Sequence, residues 1–185
     1  MRVLIDANVL YATLLRRIVL GVAGAADGQF TPLWSARILE EWARAAAREG
    51  PEAETIARGE IALLGAAWPH ALTEWDVEHV EGLSLPDPDD RHVLSAAIEG
   101  AADVILTLNL KDFPNRTLAR LGLRAAAPDP FLLELWTEAE GAIAAAVGAA
   151  LDEIEAAGAP KGQRRKLLKR ARLPRLGKVL YGGIG

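Results

Sequence analysis

The sequence predicts an α/β fold, with a central, mostly parallel sheet flanked by helices and a helical C-terminal extension. Val3-Leu4-Ile5 and Val104-Ile105-Leu106 are short, wholly apolar runs rich in β-branched residues, the pattern of strands buried on both faces of a parallel sheet. Segments of helical apolar period separate the strand runs, in the alternation that builds βαβ units. Beyond Pro128 the strand signals stop, and apolar residues recur at i, i+3 and i+4 through 129–157.

The elements follow in order. The first strand ends at Asp6, and helical spacing then runs over 8–26, closed by Gly28. A second strand is expected over Thr31–Trp34, after which Ser35 is a suitable N-cap for a helix ending near Gly50-Pro51. Another helix covers 52–67, and a polar, Pro-punctuated stretch leads to Pro86. Asp87-Pro88 is a helix start with the acid as cap and Pro in the first turn, and this helix stops at Gly100. Asp103–Thr107 is a strand, followed by a short helix and a weaker strand over Leu121–Ala125. Leu132, Leu135, Trp136, Ala139, Ile143, Val147, Leu151 and Ile154 mark the long helix, which Gly158-Ala159-Pro160 ends. Residues 1–128 thus form one expected domain and 129–185 an extension with a basic arm over 158–185.

Composition narrows the function. The 185 residues include no cysteine and only three histidines, which excludes disulfides, thiolate zinc sites and cysteine nucleophiles and makes a histidine-built metal site an unfavoured reading. His70, His79 and His92 have no ligand spacing, and His92 reads as an exposed first-turn residue. Asp6 interrupts the N-terminal apolar run where a signal peptide needs continuity, and the run Ala142–Leu151 is too short to cross a bilayer, so a cytoplasmic, membrane-free protein is expected. The formal charge of −4 is unevenly spread. Nine of the 21 basic residues (Lys161, Arg164, Arg165, Lys166, Lys169, Arg170, Arg172, Arg175 and Lys178) follow residue 157, where no Asp or Glu occurs. The body therefore holds 21 − 9 = 12 bases against 25 acids, a net of −13, and the tail holds +9. Such asymmetry points to a nucleic-acid or acidic partner.

Ligands of open parallel sheets sit beyond the carboxyl ends of the strands. Asp6 and Asn8 follow the first strand, and Thr107, Asn109 and Asp112 follow the strand over Val104–Leu106. Read singly, Asp6 could cap a helix, and Asn109 and Asp112 could be loop and cap residues. Two further acids stand out by face. Glu41 lies on the apolar stripe of Ile38, Trp42 and Ala45, whereas Glu40 shares a face with Arg37 and Arg44, where a solvated ion-pair ladder explains it. Asp90 projects onto the stripe of Val93, Leu94, Ala97 and Ile98, while Asp87 serves as cap and Asp89 as a first-turn acid. Asp6, Glu41, Asp90 and Asp112 thus come from four segments. Four like charges converge only around a cation, and all-oxygen ligation selects a hard ion such as Mg²⁺ or Mn²⁺, the ions of phosphate chemistry.

Four blocks carry a family resemblance: Leu4-Ile5-Asp6-Ala7-Asn8-Val9-Leu10, Ser35 to Glu41, Asp87 to Ala97, and Leu106-Thr107-Leu108-Asn109-Leu110-Lys111-Asp112-Phe113. Their order across residues 1 to about 126 resembles the PIN-domain family, whose members are metal-dependent ribonucleases, many of them VapC-type toxins. The resemblance implies a three-layer α/β fold and catalytic acids at Asp6, Glu41 and Asp90. The fourth falls on Asn109 or Asp112, with Thr107 in support. On this reading Asp6, Asp90 and Asp112 bind one or two Mg²⁺ (or Mn²⁺) ions, Asn8, Thr107 and Asn109 assist, and Glu41 is a ligand or orients the attacking water. The implied partners are RNA, tRNA or rRNA among the targets, a cognate antitoxin and a second copy in a homodimer. Because an acidic pocket repels RNA, Lys161, Arg164, Arg165, Lys166, Lys169, Arg170 and Arg172 are expected to grip phosphates, the alternative being internal pairing with the acidic body. The five tryptophans are expected mostly in the core, with any exposed one free to stack a base.

Competing functions are an aspartyl-nucleophile phosphatase and a non-catalytic RNA-binding module with a degenerate nuclease core. The first wants a second Asp where this chain has Asn8, and the complete acid set opposes the second. Gly21, Gly24 and Gly28 fall within or after a helix, unlike a dinucleotide fingerprint, and Gly82-Leu83-Ser84-Leu85-Pro86 is no nucleophile elbow.

Overall fold

The computed structural model describes residues 1–25, 28–83 and 85–182, with the backbone alone for Val77 and His79. Ala26 at the end of the expected first helix, Ser84 and residues 183–185 lie outside the described residues. The chain divides into two compact units: Met1–Tyr11 with Phe30–Ala126, and Ala12–Gln29 with Ala127–Gly185.

The first unit is an α/β layered structure around a five-stranded parallel sheet. In chain order it comprises β1 (Arg2–Ile5), α1 (Ala7–Tyr11), β2 (Thr31–Ser35), α3 (Ala36–Ala47), α4 (Pro51–Ala67), β3 (Leu72–Thr73), α5 (Arg91–Glu99), β4 (Val104–Leu106), α6 (Asn115–Ala119) and β5 (Arg124–Ala126). The strand order is β3-β2-β1-β4-β5, with every pair parallel. Val3, Leu4, Ile5, Val104, Ile105 and Leu106 are buried, which explains why these runs of the two central strands are wholly apolar. One face is covered by α5, which packs on β1, β2 and β4. Helix α3 begins as its sequence dictates, with Ser35 Oγ accepting the Ile38 N–H at 3.3 Å, and packs against α1 and α4.

Because the chain leaves β1 toward β2 on one side and returns through β4 on the other, the sheet's switch point lies between β1 and β4. Their register pairs Ile5 with Leu106, so Asp6 and Thr107 emerge side by side at the carboxyl edge.

The second unit is helical: α2 (Thr13–Ala23), α7 (Pro128–Ala156), α8 (Arg164–Arg170) and α9 (Pro174–Tyr181). Gly21 lets α2 approach α7 closely, since a Cβ there would meet the Ala146 Cβ at 3.0 Å. The Asp129 carboxylate accepts the Arg175 and Leu176 N–H groups at 2.9 and 3.0 Å, capping α9 from a distant point in sequence. Among the described residues, no helix is long and apolar enough to cross a membrane.

Several elements differ from the sequence reading. The single helix expected over 8–26 is two helices, divided at Ala12, whose ψ of 99° is extended backbone. Helix α7 is interrupted at Ala139 (φ −134°, ψ 28°), just before Glu140-Gly141, where glycine weakens helical preference. Pro88–Asp90 is a 3-10 turn, and α5 starts only at Arg91. The last strand is Arg124–Ala126 rather than Leu121–Ala125, because Leu121-Gly122 forms a turn with Gly122 at φ +70°. The polar stretch before Pro86 also contains β3 and a 3-10 turn at Val77–Val80, both too short to show a period.

Candidate active site

Asp6 is placed by β1 and fixed by hydrogen bonds from the neighbouring strand end. Its N–H donates to the Leu106 carbonyl at 3.0 Å. Its Oδ2 accepts the Thr107 hydroxyl at 2.6 Å and the Asn8 amide at 2.6 Å. Thr107 Oγ1 in turn accepts from Asn8 Nδ2 at 3.1 Å and from the Asn109 N–H at 3.0 Å. Asn8 closes the ring by accepting the Leu108 N–H at 3.0 Å. Farther on, the Asn109 side-chain amide donates to Asp112 Oδ2, and Asp112 is buried. Three polar residues that follow the two strand ends, Asn8, Thr107 and Asn109, therefore orient the two carboxylates.

Asp90 stands half-buried where the 3-10 turn meets α5. Burial pushes its carboxyl up to about 6, and repulsion from Asp6, Asp112 and Asp87 adds to the rise, with His92 opposing. Asp6 is also raised above the ordinary carboxylate range, first by burial, with Glu41 adding and the Thr107 and Ala7 hydrogen bonds opposing. These couplings place Asp6, Asp90 and Asp112 in one electrostatic neighbourhood and bring Glu41 into it through Asp6.

Glu41 is differently held. Its Oε1 accepts from His92 Nε2 at 2.7 Å and lies 3.6 Å from Arg37 Nε. His92 is not the exposed residue that the sequence suggested: it is 2% exposed. The run His92-Val93-Leu94-Ser95-Ala96-Ala97 is buried throughout and carries no acid, lysine or arginine, which is the signature of a helix enclosed on every side. Its Nδ1 has no hydrogen-bond partner among the described residues, and its ring meets Trp75 edge-on at 6.0 Å. Glu41 is about one-third exposed, so the inward stripe carries it to a cleft rather than into the core. Arg37 also departs from expectation. It pairs with Glu41 and covers Trp75, while Glu40 is held by Arg44 and Arg58. The sequence reading had Trp75 only among tryptophans expected mostly in the core, and it did not place Trp75 or Arg37 at this site, because Trp75 lies in a loop without period.

The residues expected to bind RNA lie on and before α8. Arg164 bonds Glu155 at 2.8 Å and also Asp152, so this arginine pairs internally. Arg165, Lys166 and Lys169 line a hollow of about 630 Å³ with Gly162, Gln163 and Pro174, and Lys161, Arg170 and Arg172 are exposed. Of the five tryptophans only Trp34 and Trp42 are buried core; Trp68, Trp75 and Trp136 are partly exposed, because they fall on loops and helix sides that face solvent.

The site's donor set suits a hard divalent cation. Among the described residues no three or more Asp, Glu or His side chains are grouped so that they could hold a metal ion by themselves. Mg²⁺ does not need such a group, since it keeps several waters and takes one or two carboxylates together with substrate phosphates. Asp90 is raised first by burial and then by repulsion from Asp6, Asp112 and Asp87.

A parallel α/β sheet with carboxylates at the carboxyl ends of its central strands defines a class of protein whose ligands bind at the switch point. The family model of the PIN domain matches residues 2–111, and the chain belongs to the PIN-domain family. It is 47% identical over 57 residues to VapC50 of Mycobacterium tuberculosis (strain ATCC 25618 / H37Rv), a protein named as an inferred ribonuclease, the match covering 29% of this chain and 34% of that protein. The chain thus spans about one-third of the length of the curated relative it matches. No solved structure matches the chain.

Proposed function

We propose that this protein is a metal-dependent endoribonuclease of the VapC type, a cytoplasmic toxin held in check by a cognate antitoxin. The observation that carries the reading is the pair of carboxylates that Thr107, Asn8 and Asn109 orient beyond the central strand ends, Asp6 and Asp112, with Asp90 electrostatically coupled to both. Family membership and the likeness to VapC50 support RNA as substrate.

In this reading Asp6, Asp90 and Asp112 would hold one or two Mg²⁺ or Mn²⁺ ions. Such an ion, when bound, lowers the pKa of water and neutralises charge on an in-line phosphoryl transition state. Thr107 and Asn8 keep the Asp6 carboxylate in one orientation, and Asn109 does the same for Asp112. Glu41, held by His92 and Arg37, orients the attacking water and accepts its proton. The water oxygen bonds to phosphorus, the bond to the 3′ oxygen breaks, and that oxygen takes up a proton. The products carry a 5′-phosphate and a 3′-hydroxyl. Arg165, Lys166 and Lys169 bind the RNA backbone, with Arg164 retained as the clamp between α7 and α8.

The test is cleavage of an RNA pool with Mg²⁺ or Mn²⁺ and with EDTA, followed by sequencing of 5′-phosphorylated ends. Cleavage that needs the metal and disappears in Asp6→Asn is the expected result. Full activity in Asp6→Asn on a defined RNA would overturn the site. Truncation after Gly158 is expected to weaken RNA binding and flatten its salt dependence; unchanged affinity and slope would remove the arm from the reading.

A further inference from the structure

Beside the carboxylates lies a second hollow of about 500 Å³, lined by Arg37, Glu40, Glu41, Arg44 and Trp75, within the size range of ligand sites. Its charge differs from that of the carboxylate site. Both Glu40 oxygens are taken by arginines, from Arg44 and Arg58, and Glu41 is taken by His92 and Arg37. Each acid here has basic partners, so the hollow does not repel a polyanion as the uncompensated site does. Its one aromatic wall is Trp75, a large apolar ring left partly exposed on a loop.

That ring is held in place before any ligand arrives. It meets the buried His92 ring in a T-shaped pair, centroids 6.0 Å apart at an interplanar angle of 74°. The next residue, Asp76, is fastened to α5 by two hydrogen bonds: its N–H donates to Ser95 Oγ at 2.7 Å, and Ser95 Oγ donates to its carbonyl at 2.6 Å. The Arg37 guanidinium lies 5.1 Å over the ring centroid. A fixed aromatic plane beside an arginine is the arrangement that stacks unpaired bases without reading their edges. The hollow's shared wall with the carboxylate site is Glu41, whose charge acts on Asp6.

We propose that Trp75 and Arg37 form a stacking subsite for one unpaired base of single-stranded RNA, next to the scissile position along Glu41. This rests on the ribonuclease reading and adds to it a requirement for a strand splayed at the cut. Because the subsite reads a π-face, it selects for unpaired structure rather than for a particular base.

The experiment uses the full chain carrying Asp6→Asn, so that binding is measured without cleavage, and a labelled short single-stranded RNA followed by fluorescence anisotropy. Trp75→Leu is expected to weaken binding about tenfold or more, and Trp75→Phe to restore most of it. Removing single bases along the RNA should reveal one position whose loss weakens the parent by a similar factor and leaves Trp75→Leu unaffected. A 5-iodouracil at that position should photocrosslink to Trp75 in the parent, a readout that does not depend on the folding of a Trp75 variant. Equal binding by folded Trp75→Leu, or crosslinks only to other residues, would overturn the subsite while leaving the nuclease reading standing. No RNA binding by the parent would overturn both.

Discussion

The two sides of the cleft treat their carboxylates in opposite ways. At the Asp6 side the carboxylates are oriented by neutral donors, the Thr107 hydroxyl and the Asn8 and Asn109 amides, which hold geometry without cancelling charge. At the Glu41 side the partners are Arg37 and His92, and the adjacent Glu40 has two arginines. Neutral donors leave the charge of a carboxylate uncancelled, whereas the Arg37 guanidinium offsets part of the charge of Glu41. Two acids that look alike in sequence, each on a helix or strand edge near the core, thus have different surroundings.

The largest effect that would break this comparison is expected from Asp6→Asn, which keeps the shape and removes the charge. Cleavage of a defined RNA should fall by about a thousandfold, the loss of several kcal/mol of charge stabilisation. Circular dichroism should show a folded protein, since the substitution removes a carboxylate whose burial already disfavours its ionised form. A decrease of less than tenfold would move the cation elsewhere. Next comes Thr107→Val, which leaves Asp6 in place without its orienting hydroxyl. Outer partners of this kind are worth about 10–100-fold in metal affinity or activity. Measuring Mn²⁺ affinity separates this orienting role from packing, because valine fills the same buried space.

On the other side, His92→Leu should lower kcat about tenfold with little change in KM, as expected for a residue that acts through Glu41 rather than on the substrate. Glutamine can place an amide donor near the position of Nε2, so His92→Gln should recover part of the loss. In an Glu41→Gln background, His92→Leu should have little further effect. An equal loss in both backgrounds would mean that His92 serves the fold and not Glu41.

How far the site was legible follows from the same contrast. The Asp6 side rests on local signals: acids and amides directly after apolar strands, whose parallel pairing is set by their burial. The register of Ile5 with Leu106 then brings two distant segments together with no further information. The Glu41 side depends on packing between helices and a loop. The inward stripe singled out Glu41, but its partners lie in other elements, and Trp75 sits in a stretch without period. His92 was misread because a position beside charged Asp89, Asp90 and Arg91 suggests solvent, whereas the uncharged run after it reports burial on all sides. The breaks at Ala12 and Ala139 were hidden for another reason, since each falls on alanine, which itself favours the helix.

The smallest effect is expected from the titration of Asp90, raised by burial and by its acidic neighbours. Asp90 titrates near 6 in the folded protein and near 4 in an unfolded chain, so the folded state holds this proton more tightly. Its contribution to stability is therefore complete below about pH 4 and is lost as the pH rises through 6. In EDTA, the Tm of wild type should fall relative to that of Asp90→Asn across this window, leaving the variant a few degrees the more stable at pH 7. The half-exposure of Asp90 keeps the difference modest through solvent screening. Adding Mg²⁺ or Mn²⁺ at pH 7 should reverse the order, because a cation that binds only the folded state stabilises wild type and has lost a ligand in the variant. Parallel melting curves for the two proteins between pH 4 and 7, with no crossover on adding metal, would show that the Asp6 side is compensated after all, and that the two sides of the cleft do not differ in the way described.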